Sequence, residues 1–164
     1  MWRDVADYFP AHRIANRGFG GSTMRDVLYW YETLVTPHAP AQMLVYEGDN
    51  DLADRNYTVE QFIVDVECFV RLTQVRYPQC DLCLVSVKPS PSRRAIWPKI
   101  MEANRLMKEL CEKRGARFID AWSQMVDAEG NPTGGKDYFL EDRLHMNAEG
   151  YKLWARIIEP CLIK

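Results

Sequence analysis

Short apolar runs alternate along this chain with longer runs whose apolar residues recur at helical spacing, and that alternation constrains the fold more than any other feature. Residues 43–46 are a nearly continuous apolar segment, as expected of a strand covered on both faces, residues 82–87 read as a second buried strand, and residues 117–120 as the last strand. Residues 13–16 make a shorter candidate strand. Between them lie segments with apolar residues on one helical face. The clearest carries Val59, Phe62, Ile63, Val66, Phe69 and Val70 behind a Thr58/Gln61 capping box, and closes near Pro78. A second starts at Pro98 and runs to Gly115, a residue suited to a left-handed helix end. A third is capped by Asn147 and turns Tyr151, Trp154, Ile157 and Ile158 inward. Residues 2–9 predict an opening helix, and another runs from the glycines at 18–21 through Tyr29, Trp30 and Leu34 to about Pro37. Strands alternating with helices predict a three-layer α/β/α domain with a parallel sheet.

In such sheets ligands collect beyond the carboxyl ends of the strands. There the sequence places its chemically suggestive residues: residues 18–22 after the first run, Gly48-Asp49-Asn50-Asp51 after the second, residues 88–92 after the third, and Asp142 and His145 in the loop following the last. Acyl transfer builds negative charge on a carbonyl oxygen and needs fixed donors for it. The backbone N–H of Gly21, where no Cβ obstructs approach, and the side-chain amide of Asn50 suit that task. A histidine with a carboxylate three residues away in a tight loop can be held in one tautomer as a general base. Taken singly each signal has a blander explanation: a solvated histidine, an N-capped turn, a turn asparagine.

Together and in this order the motifs resemble those of the SGNH (GDSL-like) ester hydrolases. Residues 16–23 resemble that family's second block, Gly48-Asp49-Asn50-Asp51 its G-x-N-D block, and Asp142-Arg143-Leu144-His145 its D-x-x-H block. The resemblance spans nearly the whole chain and implies a flavodoxin-like fold with a sheet ordered 2-1-3-4-5. It implies His145 as base, Asp142 as its orienting carboxylate, Gly21 and Asn50 as oxyanion donors, and a small-molecule ester as substrate. No metal and no organic cofactor are expected. Ser22, Asp49, Asp51 and Lys88 are candidate binding residues.

The family's first block, a strand ending in G-D-S or G-x-S with the attacking serine, would lie ahead of Met1-Trp2. Residues 1–164 are therefore expected to form one domain, incomplete at the N-terminus, without the first, central strand and without the nucleophile. Such a chain would be inactive or weakly active. Ser22, Ser86, Ser90 and Ser92 fit binding or capping better than attack. The open slot predicts either that strands 13–16 and 43–46 close on each other or that the chain forms a homodimer there. The alternative function is a non-catalytic small-molecule-binding or self-association module. A flavodoxin-like nucleotide binder is weaker still, because the glycines at 18–21 lack the following lysine and the full G-x-G-x-x-G pattern.

Composition excludes several other classes. Twenty-one basic and 23 acidic residues leave a net charge of −2, with no like-charged block to recruit nucleic acid. No run approaches the roughly 20 apolar residues of a membrane span, and no signal-like N-terminus is visible, which predicts a cytoplasmic protein. Five cysteines are read as reduced, mostly core thiols, and Cys80-x-x-Cys83 has no second pair to complete a metal set.

Overall fold

The computed structural model describes residues 2–163. Three parallel strands, β1 (Gln42–Val45), β2 (Asp81–Val85) and β3 (Arg117–Ile119), form a sheet in the order β1-β2-β3. The helices are α1 (Met24–Tyr29), α2 (Tyr31–Leu34), α3 (Val59–Arg76), α4 (Trp97–Arg114), α5 (Trp122–Met125) and α6 (Ala148–Ile158).

Side-chain alternation along the strands builds two cores. Leu82 and Leu84 of β2, with Met43 and Val45 of β1, meet α3 and α4 on one face; Cys83 and Val85, with Leu44 and Tyr46, meet α6 and the N-terminal segment on the other. Phe62, Val66, Phe69 and Val70 on α3 are fully buried, each contributing roughly 2 kcal/mol of apolar burial. This is the three-layer α/β arrangement the alternation predicts.

Local capping chemistry sets the helix ends as expected. Thr58 Oγ1 accepts from Gln61 N and Gln61 Oε1 accepts from Thr58 N, Gly115 closes α4 at φ 68°, and Asn147 Oδ1 accepts from Gly150 N. The N-terminal part differs from expectation. Residues 2–9 form only a 3-10 turn at Val5–Tyr8, and residues 13–16 form no strand. An extended segment becomes a strand only by pairing, and β1 pairs with β2 alone among the described strands. The direct closure of 13–16 on β1 is therefore not what forms. Asn16 instead donates to Trp2 O and accepts from Gly18 N, while Trp2 stacks on Tyr151 of α6. As an edge strand, β1 is half-buried along its length and not covered on both faces. The single helix expected up to Pro37 breaks at Trp30, whose ψ of 12° separates α1 from α2.

Met1, where the resemblance enters the family pattern, lies outside the described residues. The C-terminus braces the amino end of the sheet: Gln42 Nε2 and Arg117 Nη1 both donate to Cys161 O. Cys83 and Cys111 are buried, but Cys68 is exposed, so the cysteines are not uniformly core residues. No described helix is long and apolar enough to cross a membrane.

Candidate active site

Asp142 and His145 sit in the loop before α6. Asp142 Oδ1 accepts from the backbone N–H groups of Leu144 and His145 (2.9 Å each), which folds the turn so that Oδ2 meets His145 Nδ1 at 2.6 Å. The histidine's hydrogen bond and the two N–H donors hold the Asp142 carboxyl down at about 2. A carboxylate that stays ionised makes Nδ1 the protonated nitrogen and leaves Nε2 with its lone pair. Among the described residues Nε2 has no hydrogen-bond partner, and the imidazole is exposed.

The second group follows β1. Asn50 Nδ2 donates to Ser22 O (2.9 Å), which brings the Asn50 amide beside the Ser22–Thr23 peptide, one residue on from Gly21. Gly21 is exposed at φ 77°, and a Cβ there would meet nothing within 4 Å. That positive φ favours glycine independently of the space around it. The Gly21 N–H makes no hydrogen bond among the described residues.

The remaining candidates divide. Ser22 is buried and its Oγ donates to Glu47 Oε1 at 2.7 Å. Burial pushes the Glu47 carboxyl up to about 7, and the Ser22 hydrogen bond only partly opposes this. Asp51 is buried as well; Oδ1 accepts from Met24 N at the start of α1, while Oδ2 has no partner. It tethers a helix and does not face solvent. Asp49 accepts from Lys88 Nζ and from Tyr46 Oη, and lies opposite Arg93. Burial lowers the Lys88 ammonium pKa, and Asp49 counteracts that. Burial also raises the Tyr46 hydroxyl well above its ordinary value.

Lys88 and Arg93 lie in the segment after β2. That segment is tied to the histidine loop by Ser92 N donating to Arg143 O (3.0 Å) and Ser90 Oγ to Leu144 O (3.4 Å). Its start is fixed by the buried Asn104, which bonds both Val87 N and Val87 O. Ser86 caps α5 through Ala121 N and Trp122 N. The contribution of Glu47 and Arg93 was not visible in the sequence.

A recess of about 470 Å3 lies elsewhere, between Arg94, Trp97, Trp122, Val126 and Gly130. Residues 126–130, in the irregular stretch after α5, line it, but Asn50 and His145 do not. With no histidine in its lining, it is a weaker candidate for acid–base chemistry than the Asp142–His145 pair.

The protein is thus a three-layer α/β domain with a parallel sheet, whose histidine–carboxylate pair and Asn50 amide lie in loops outside the strands, where such sheets collect ligands. The chain belongs to the GDSL-like lipase/acylhydrolase family, whose model matches residues 1–153. It has the fold of the SGNH hydrolases. A crystal structure described as an acylhydrolase from Bacteroides fragilis is 22% identical with a TM-score of 0.83, covering 98% of this chain and 79% of that one. The lipase/acylhydrolase from Enterococcus faecalis is 25% identical with a TM-score of 0.70, covering 84% and 69%. A catalytic variant of an acetylxylan esterase from Geobacillus stearothermophilus is 16% identical with a TM-score of 0.78, covering 98% and 80%. No curated protein matches the sequence.

Proposed function

We propose that this chain carries the acid–base and oxyanion parts of an acyl-ester hydrolase acting on a small-molecule ester. His145 Nε2 takes the proton of the attacking hydroxyl while the new C–O bond forms. Asp142 holds the imidazole tautomer, and the Gly21 N–H with the Asn50 amide receives the carbonyl oxygen as it becomes negative. When the tetrahedral species collapses, the ester C–O bond breaks and the imidazolium returns the proton to the leaving alkoxide. In the serine route the first product is an acyl-enzyme, which water opens by the same steps. The observation that carries the reading is the 2.6 Å Asp142–His145 contact with Nε2 uncommitted.

No serine among the described residues is hydrogen-bonded to His145, and Ser22 is committed to Glu47. Residues 1–164 by themselves are therefore proposed to be inactive or weakly active. Removing a triad nucleophile leaves about 10³- to 10⁴-fold over water, from the oxyanion hole and binding. The test pairs a fluorophosphonate probe with p-nitrophenyl acetate hydrolysis. Absence of labelling, with any residual hydrolysis lost in His145→Ala and Asn50→Ala, supports the reading. Labelling of a serine that requires His145 would overturn the weak-activity claim, and hydrolysis indifferent to both substitutions would remove the site itself.

A second reading has one observation in its favour: β1 has a neighbour on one side only among the described strands. Self-association along that edge would pair its free backbone groups. A compact monomer in sedimentation velocity would end it. The five free cysteines suit a reducing compartment, and the cytoplasm is the location proposed.

A further inference from the structure

We infer that Arg93 is a positioning residue for the oxyanion site, acting through Asn50; the inference rests on the reading of Asn50 as an oxyanion donor. A side-chain amide offers nearly the same shape in two orientations, and only one presents N–H to a negative oxygen. The partners of Asn50 decide between them. Arg93 Nη2 lies 3.4 Å from Asn50 Oδ1, and Nδ2 lies 2.9 Å from Ser22 O. A guanidinium has donors only, and a backbone carbonyl accepts only. Flipping the amide would set N–H against N–H at one end and oxygen against oxygen at the other. With one Nδ2 hydrogen on Ser22 O, the second remains for a ligand. A positive charge at Oδ1 also draws electron density toward that oxygen and makes the remaining N–H a stronger donor.

Arg93 is itself held in place, with its side chain 18% exposed. Its Nε lies 3.2 Å from Asp49 Oδ1 without the alignment of a hydrogen bond, so the contact is electrostatic and leaves the guanidinium fork turned to Asn50. Lys88 and Tyr46 occupy the other oxygen of Asp49. The backbone bond from Ser92 N to Arg143 O then joins the Arg93 turn to the loop carrying His145. One short segment thereby braces the oxyanion donor and the base against each other. An arginine serving only as the counter-ion of Asp49 would need neither the contact to Asn50 nor this brace.

The test uses the full chain, proton NMR of the Asn50 side-chain amide, and acetate as an oxyanion probe. Arg93→Lys keeps a cation opposite Asp49 and hence the fold, but a point charge cannot serve Asp49 and Asn50 together; Arg93→Met removes both contacts. In both variants the Asn50 amide protons should shift and exchange with water faster. Acetate affinity should fall about tenfold or more in Arg93→Met, the loss expected for one charge-assisted hydrogen bond. The urea midpoint of Arg93→Lys should stay unchanged. Unaltered Asn50 exchange and acetate affinity in Arg93→Lys would overturn the inference. Asn50→Ala separates the two levels. If that variant binds acetate as the parent does, the oxyanion reading falls; if it binds weakly while the Arg93 variants bind normally, only the role of Arg93 falls.

Discussion

Replacing Glu47 by glutamine should remove a pH dependence from the stability of this protein. Glu47 follows β1 and is half-buried; its carboxyl, ordinarily near 4.5, is pushed to about 7 chiefly by burial, with Asp51, Asp26 and Asp49 adding repulsion. Between those two values the folded chain holds a proton that the unfolded chain has released. Unfolding there loses protons, so stability falls as pH rises. The contribution is complete below about pH 4.5 and gone above about pH 7. At about 1.4 kcal/mol for each pH unit of that interval, the swing is about 3 kcal/mol. Glutamine is permanently neutral, and its Oε1 can still accept the Ser22 hydroxyl that Glu47 Oε1 accepts at 2.7 Å. Glu47→Gln should therefore match the parent near pH 4.5 and exceed it by about 3 kcal/mol near pH 8, or roughly 6–12 °C in Tm. Urea unfolding followed by tryptophan fluorescence across that range measures the difference. Parallel stability curves for the two proteins would refute the argument, because they would mean the Glu47 proton is bound no more tightly in the folded state.

Two further substitutions probe the framework of the site. Gly48→Ala should cost about 3 kcal/mol or more, because Gly48 has φ 115° and an added Cβ would lie 2.6 Å from Val87 Cγ2 and 2.8 Å from Phe62 Cζ; a urea midpoint close to the parent's would show that the turn accommodates a side chain. Asn104→Ala leaves Val87 N and Val87 O buried without partners, for an expected loss of about 2–6 kcal/mol. It should also raise hydrogen exchange across the Lys88–Arg93 turn, and unchanged exchange there would disconnect Asn104 from the site.

Features set by neighbouring residues were legible in the sequence, and features set by distant partners were not. The Thr58/Gln61 box, the Gly115 cap and the Asn147 cap are local chemistry, and all three form as the sequence indicates. The Asp142–His145 contact is equally local, since both side chains belong to one turn. Residues 13–16 have strand-like composition, but a strand exists only with a neighbour, and none is present on that side of β1 among the described strands. Neither Glu47 nor Arg93 is a candidate site residue on sequence grounds. Their partners, Ser22 and Asn50, stand 25 and 43 residues away, so only the fold reveals them. At Gly21 the fold adds a positive φ, a second reason for glycine that the sequence does not display.

The segment from Glu47 to Asp51 concentrates buried polarity to a degree that stability alone does not explain. Glu47 holds the Ser22 hydroxyl, Gly48 makes a turn no other residue fits, Asp49 gathers Lys88, Tyr46 and Arg93, Asn50 reaches Ser22 O, and Asp51 holds the start of α1. Buried ionised groups rarely stabilise a fold more than apolar side chains of the same size would. Here Asp51 Oδ2 even lacks a partner, and Glu47 is pushed toward its neutral form. What such a network does supply is rigidity of direction. Donors that stabilise a developing oxyanion are effective because they are already oriented before charge appears, with nothing left to reorganise. The bonds from Glu47, Asn50 and Asp51 act on Ser22 or on the helix that follows Gly21, and Asp49 holds the arginine that faces Asn50, so the polar burial is concentrated around the two donors proposed for the oxyanion.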